Sequence, residues 1–178
     1  MQKITAFVGP SGVGKTTICR SVNNRFEDVR EVVSTTTRSK RSGEVDGVDY
    51  RFLTREQSDT YLANGDYLEH VEYDGNFYGF LYESFQSEER LVLVIDRHGL
   101  SQLKQAFGDR VQSILVLPPS LEVLTARMMD GQRSAEVVAR RLHNVEAEIY
   151  RDLLSFDYVI VNRDLEDAVD LASYIVIK

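Results

Sequence analysis

The stretch that most limits how this chain can fold is GPSGVGKTT at residues 9–17. It sets Gly9, Gly14, Lys15 and Thr16 in the pattern G-x-x-x-x-G-K-[ST], behind an apolar pentapeptide, ITAFV at 4–8. Ile18, Val22 and Phe26 follow it at helical spacing. Glycines let the backbone curl until its N–H groups face inward around an anion, and a helix that starts at the loop adds a partial positive charge. A strand must therefore enter the loop and a helix must leave it. Within such a cradle Gly9, Ser11, Gly12, Val13, Gly14, Lys15, Thr16 and Thr17 are candidate nucleotide contacts. Lys15 is spaced for the β- and γ-phosphates, and the Thr16 hydroxyl for Mg²⁺. The pattern names a triphosphate donor, with ATP expected, and leaves the acceptor open among ATPase, GTPase, kinase and transport motor. The GTPase option is weakened because no N-K-x-D guanine-reading motif occurs.

Around this loop, short apolar runs recur at strand length: ITAFV (4–8), EVVS (31–34), LVLVID (91–96), SILVLP (113–118) and DYVIVN (157–162). Runs apolar on both alternating faces predict strands buried on both sides, as in a parallel sheet covered by helices. Leu121, Leu124 and Met128, behind a possible N-cap at Ser120, make one more helical stripe; Val138, Leu142, Val145 and Ile149 make another. Residues 35–82 break the rhythm with tyrosines, glycines and charges, and contain one well-marked helix at 55–63 with capping-box spacing between Thr54 and Gln57 and an Asn-Gly stop at 64–65. The expected architecture is α/β: a P-loop NTPase-type parallel sheet core flanked by helices (1–33, 83–126, 141–178). A small mixed α/β insertion (34–82) and an arginine-rich lid (127–140) interrupt it.

At 178 residues with 43% hydrophobic content, one compact domain with a sizeable core is expected. The formal net charge of −7 argues against a general nucleic-acid binder, which needs a cationic face. Cys19 is the sole cysteine, and neither a signal peptide nor a membrane span is visible, so a cytoplasmic monomer or homodimer is expected. His70, His98 and His143 share no metal-ligand spacing.

Against the acidic background, Ser34, Arg38 and Arg41, with Tyr50 following, gather hydroxyls and two guanidinium forks in one short segment. Such a set can grip a phosphate monoester bidentately. Here the chain resembles the guanylate kinase family. TTRSKRSGEVDGVDYRF (36–52) is similar to that family's signature along its length, and GNFYGF (75–80) to its G-N-x-Y-G element. LVLVIDRHG, LVLPPSLEVLTAR, ARRLHNVEAEI and DYVIVN resemble further family segments in order. The resemblance implies that Ser34, Arg38, Arg41, Tyr50 and Tyr78 hold a nucleoside monophosphate, with Glu44 and Glu69 in the acceptor pocket and Asp96 near the base and metal. Glu69 would accept from the guanine N1–H and amino group. Arg127, by the donor nucleotide, and Arg133 and Arg141 would close over the transferring phosphoryl group beside Lys15 and Arg38.

The chain departs from the family pattern at three places. Phe80 stands where a small hydroxyl residue is expected at the base edge; it can pack against the base or turn outward, which leaves a different purine monophosphate in view. Val94 replaces the first carboxylate of a D-x-D pair, and a shortened lid leaves Gln132 or Arg133 for the usual arginine place. Other acceptor classes remain open at this point: a different or modified nucleoside monophosphate, a sugar phosphate, or none in a binding module of the same fold.

Overall fold

A computed structural model of the chain describes residues 3–130, 135–142 and 155–178. The chain opens with strand β1 (Ile4–Val8) and helix α1 (Lys15–Arg25), followed by β2 (Val29–Glu31). Two short strands, β3 (Thr35–Thr36) and β4 (Arg51–Phe52), lead to helix α2 (Arg55–Asn64) and the hairpin of β5 (Tyr67–Tyr73) and β6 (Asn76–Leu81). Strand β7 (Arg90–Val94), helix α3 (Arg97–Phe107), β8 (Val111–Leu117) and α4 (Leu121–Asp130) come next. After α5 (Ala135–Leu142), β9 (Tyr158–Val161) and α6 (Leu165–Ile177) complete the described elements.

Two sheets result. The first has the order β2-β7-β1-β8-β9, and all its pairings are parallel. Parallel strands need covered faces, and β1 shows how the sequence meets that need. Its five residues are all buried; Phe7 joins a cluster with Ile18 and Val22 of α1 and Ala168, Val169 and Ala172 of α6, while Ile4, Ala6 and Val8 join Leu100 and Leu103 of α3 on the other face. With β7 on one side and β8 on the other, β1 marks the point where chain order reverses, and open parallel sheets bind ligands at the carboxyl ends of such strands.

The second sheet, ordered β4-β3-β6-β5, is mixed: β3 runs parallel to β4 and antiparallel to β6. Its hairpin turns on Asp74 (φ 53) and Gly75 (φ 72), the left-handed pair that a two-residue turn demands. Helix α2 carries the full reciprocal capping box between Thr54 and Gln57 and stops at left-handed Gly65. The Tyr67 hydroxyl ties helix to sheet, 3.0 Å from Ser58 Oγ and 3.2 Å from Thr35 Oγ1.

One expected strand is displaced, and two helices carry no clear signal in the sequence. The second core strand lies at 29–31, ahead of EVVS; after Val32 donates to Val92 O the chain leaves for the second sheet, where Ser34 O accepts from Arg51 N. Helix α3 follows β7 after two intervening residues, with Gly99 in its first turn behind the N-cap, Asp96. Helix α6 shows no clean stripe in the sequence, since Leu171, Tyr174 and Ile177 keep its outer face apolar as well. Of the stripe Val138, Leu142, Val145 and Ile149, the first two lie on α5 and the others outside the described residues.

Candidate functional site

The loop 9–17 leaves the end of β1 and enters α1. Gly9 (φ 147), Gly12 (φ 83) and Gly14 (φ 102) take the left-handed conformations it needs. A Cβ at Gly9 would collide with the Val116 carbonyl, and one at Gly14 would lie 2.5 Å from Asn162 Nδ2. Helix α1 starts without a side-chain cap and without an acidic residue in its first turn, so its terminal N–H groups face the loop. Lys15 arches back over that loop, Nζ donating to Gly9 O (2.7 Å) and Pro10 O (2.8 Å).

A residue outside the candidate site set braces this cradle. Asn162, just past β9 and 3% exposed, donates from Nδ2 to Val13 O at 2.8 Å. Its main-chain carbonyl accepts from Arg127 Nη2 at 3.1 Å, which brings Arg127 from the last turn of α4 to the loop. Among the described residues, Asn162 Oδ1 and Arg127 Nη1 are buried without a hydrogen-bond partner. Unmatched buried polar atoms are costly, and here they adjoin a loop shaped for a ligand.

The acceptor candidates converge from β3, β4, β6 and the 38–50 loop. Arg38 grips Glu44 with both ends of its fork, Nη1 to Oε2 at 3.0 Å and Nη2 to Oε1 at 2.7 Å, and Arg41 N donates to the same carboxylate at 2.7 Å. The Arg38 hydrogen bonds hold the Glu44 carboxyl below its ordinary range. Glu44 thus acts first as the orienting partner of Arg38, whose guanidinium also lies 5.5 Å from the Tyr50 ring centre. Tyr50 packs edge-on to Tyr78, with centroids 6.1 Å apart, and burial raises its hydroxyl pKa. The Arg41 side chain is exposed.

A cavity of about 260 Å³ joins the two sets. Thr16, Ser34, Tyr50, Phe80 and Val94 line it. Arg20, Glu31 and Asp49 also line it; Arg20, four residues beyond Thr16, shares that residue's helix face, the one sequence signal that could have flagged it. A larger cavity of about 470 Å³ lies between β4 and α2, lined by Arg51, Gln57 and Tyr61 among others, and includes none of the candidate site residues.

Glu69 and Phe80 face each other across the β5–β6 ladder. The Glu69 residue is 8% exposed, and its carboxyl pKa is pushed up to about 7, first by burial and then by the negative charge of Asp96. Gly99 lies beside it: a Cβ there would collide with the Ile95 side chain at 2.6 Å and come within 3.3 Å of the Glu69 carboxyl carbon. Asp96 itself caps α3, accepting from Gly99 N at 2.8 Å. Phe80 is 5% exposed and packs edge-on to Phe85 (6.1 Å) inside the apolar cluster. Its ring therefore does not turn outward, and one edge closes the cavity.

For Mg²⁺, the chain offers the Thr16 hydroxyl at the cavity; no group of three or more His, Cys, Asp or Glu side chains suited to a metal occurs among the described residues. That sparse set suits an ion held chiefly by nucleotide phosphates and water. Arg133 and Gln132 lie outside the described residues, as does the side chain of Arg141, whose backbone belongs to α5.

Fold and site together define a P-loop protein in which the glycine loop at the end of β1 opens beside a cavity lined by Thr16, Ser34 and Tyr50. The sequence matches the guanylate kinase family model over residues 1–176. It is 46% identical over 166 residues to the guanylate kinase of Syntrophotalea carbinolica, covering 90% of this chain and 78% of that protein. It is 38% identical over 173 residues to the guanylate kinase of Chlorobaculum tepidum, covering 94% and 88%. The crystal structure of guanylate kinase from Anaplasma phagocytophilum superposes with a TM-score of 0.76 at 33% identity, covering 98% of this chain and 84% of that one. The chain belongs to the guanylate kinase family.

Proposed function

We propose that the protein transfers the γ-phosphoryl group of ATP to GMP or dGMP, giving ADP and the nucleoside diphosphate. The observation that carries this reading is the cavity lined by Thr16 together with Ser34 and Tyr50. Two polyanions can meet there end to end. The loop amides and Lys15 hold the donor phosphates, with Arg127 alongside. Ser34, Arg38, Arg41, Tyr50 and Tyr78 hold the acceptor phosphate, and Glu69 takes the guanine N1–H and amino group. An acceptor phosphate oxygen is already anionic, so no protein base is required, and catalysis rests on alignment and charge neutralisation. Thr16 would hold Mg²⁺, which neutralises charge on the transferring phosphates when bound. The acceptor unit is 34–82 and the lid 127–140, with Arg133 and Arg141 closing over the site to exclude water.

The same reading places the protein in the cytoplasm as a monomer or homodimer that binds no nucleic acid. The lone, buried Cys19 and the net charge of −7 support it. An ADP-release assay over a panel of monophosphates tests the proposal: GMP and dGMP should be turned over in preference to AMP, pyrimidine and sugar monophosphates. Turnover of none of them, or preference for a non-purine, would refute it.

A further inference from the structure

Outside the phosphate loop and the acceptor grip, one cluster of charges bridges the parallel core and the acceptor unit. Arg20, on the cavity face of α1, reaches Asp49 with Nη2 at 2.8 Å and approaches Glu31 of β2 with Nε at 3.7 Å. The pair is partly sheltered, with side chains 37% and 22% exposed. Asp49 has little freedom to follow its partner, because its other oxygen accepts from Val45 N at 2.7 Å while its own N–H donates to Val45 O at 2.9 Å. That closed turn ends directly at Tyr50, the residue against which Arg38, Phe52 and Tyr78 pack. At the other end, Arg20 stands about 7.5 Å along the helix from Lys15, given a rise of 1.5 Å per residue. One rigid helix thus starts at the donor cradle and grips the acceptor loop one and a half turns later.

We propose that Arg20 is a positioning residue for the acceptor: its ion pair with Asp49, steadied by Glu31, sets the distance between the Tyr50 loop and the phosphate loop. This rests on the acceptor assignment made above. A pair that merely added surface stability would contribute little and would leave substrate affinities untouched. A spacer between two half-sites should instead act on the acceptor alone.

Steady-state kinetics with ATP and GMP, with melting temperatures alongside, test this on the wild-type chain, Arg20→Ala, Asp49→Asn and the double variant. Each single variant should raise the KM for GMP by about three- to fivefold, the scale of a partly exposed ion pair. The KM for ATP should stay near wild type, and the double variant should be no worse than either single one. Asp49→Asn keeps an oxygen for Val45 N, so it carries the test if Arg20→Ala does not fold. An unchanged KM for GMP in the single variants, equal rises for both substrates, or effects that multiply in the double variant would overturn this inference alone. Absence of GMP turnover by the wild-type chain would overturn the acceptor assignment, and this inference with it.

Discussion

Replacing Glu69 by Gln should stabilise the folded protein in alkaline solution and lose that advantage in acid. The cause is the buried position of the carboxyl between β5 and α3, with Asp96 as a charged neighbour, which lifts its pKa from the ordinary 4.5 to about 7. An acid whose pKa is higher folded than unfolded binds more protons in the folded state, so stability falls as pH rises from about 4.5 to about 7 and levels off beyond. At about 1.4 kcal/mol per tenfold, that interval corresponds to roughly 3 kcal/mol, most of it lost between pH 5 and pH 8. Glutamine has nearly the same shape and no titration, so any packing or hydrogen-bonding penalty it brings is the same at both pH values and cancels in the comparison. Urea unfolding of both proteins at pH 5 and pH 8 reads the effect directly. With a urea slope of about 1–3 kcal/mol per molar, the gap between the two midpoints should shift by roughly 1–3 M in favour of the variant at the higher pH. A gap that is the same at pH 5 and pH 8 would refute the reasoning, because it would mean that Glu69 ionises as easily folded as unfolded.

Three further outcomes follow from the site. Lys15→Ala removes the charge that arches over the loop and should lower kcat by roughly a hundredfold or more, with circular dichroism and melting temperature unchanged; wild-type turnover would contradict the cradle assignment. Arg41→Lys exchanges a planar fork for a point charge and should raise the KM for GMP while sparing that for ATP, measurable in the same coupled assay. Phe80→Ser should cost roughly 3–5 kcal/mol in a urea titration, since it empties part of a buried cluster; the surviving enzyme should prefer GMP over other purine monophosphates more sharply.

The phosphate loop was legible because its function dictates its spelling: Gly9 and Gly14 are required by backbone conformation and close neighbours, and both constraints show in the sequence. The parallel sheet was legible for a similar reason, as doubly buried strands must be continuously apolar. What stayed hidden depends on contacts between distant segments. Asn162 closes the legible run DYVIVN, but its support of Val13 spans 149 positions of chain and does not show in the sequence. Asp96 reads as a site carboxylate but also serves as the cap of α3, and nothing in the sequence marks Gly99 as the position where a side chain would crowd Ile95 and Glu69. Glu44 reads as a pocket residue, whereas its position is that of a bidentate partner for Arg38. Phe80 was visible as an anomaly, but only the packing against Phe85 reveals that it is held by the core.

Strands β2 and β7 are neighbours in the parallel sheet, and the whole four-stranded unit with α2 occupies the connection between them. On the acceptor assignment proposed above, such an arrangement makes the recipient-choosing part a cassette: its length and chemistry can drift through evolution, or be exchanged by an engineer, while the hydrogen-bond ladder of the central sheet stays as it is. New specificities are therefore most accessible by transplanting that excursion whole, keeping Arg20 and its partner matched across the graft.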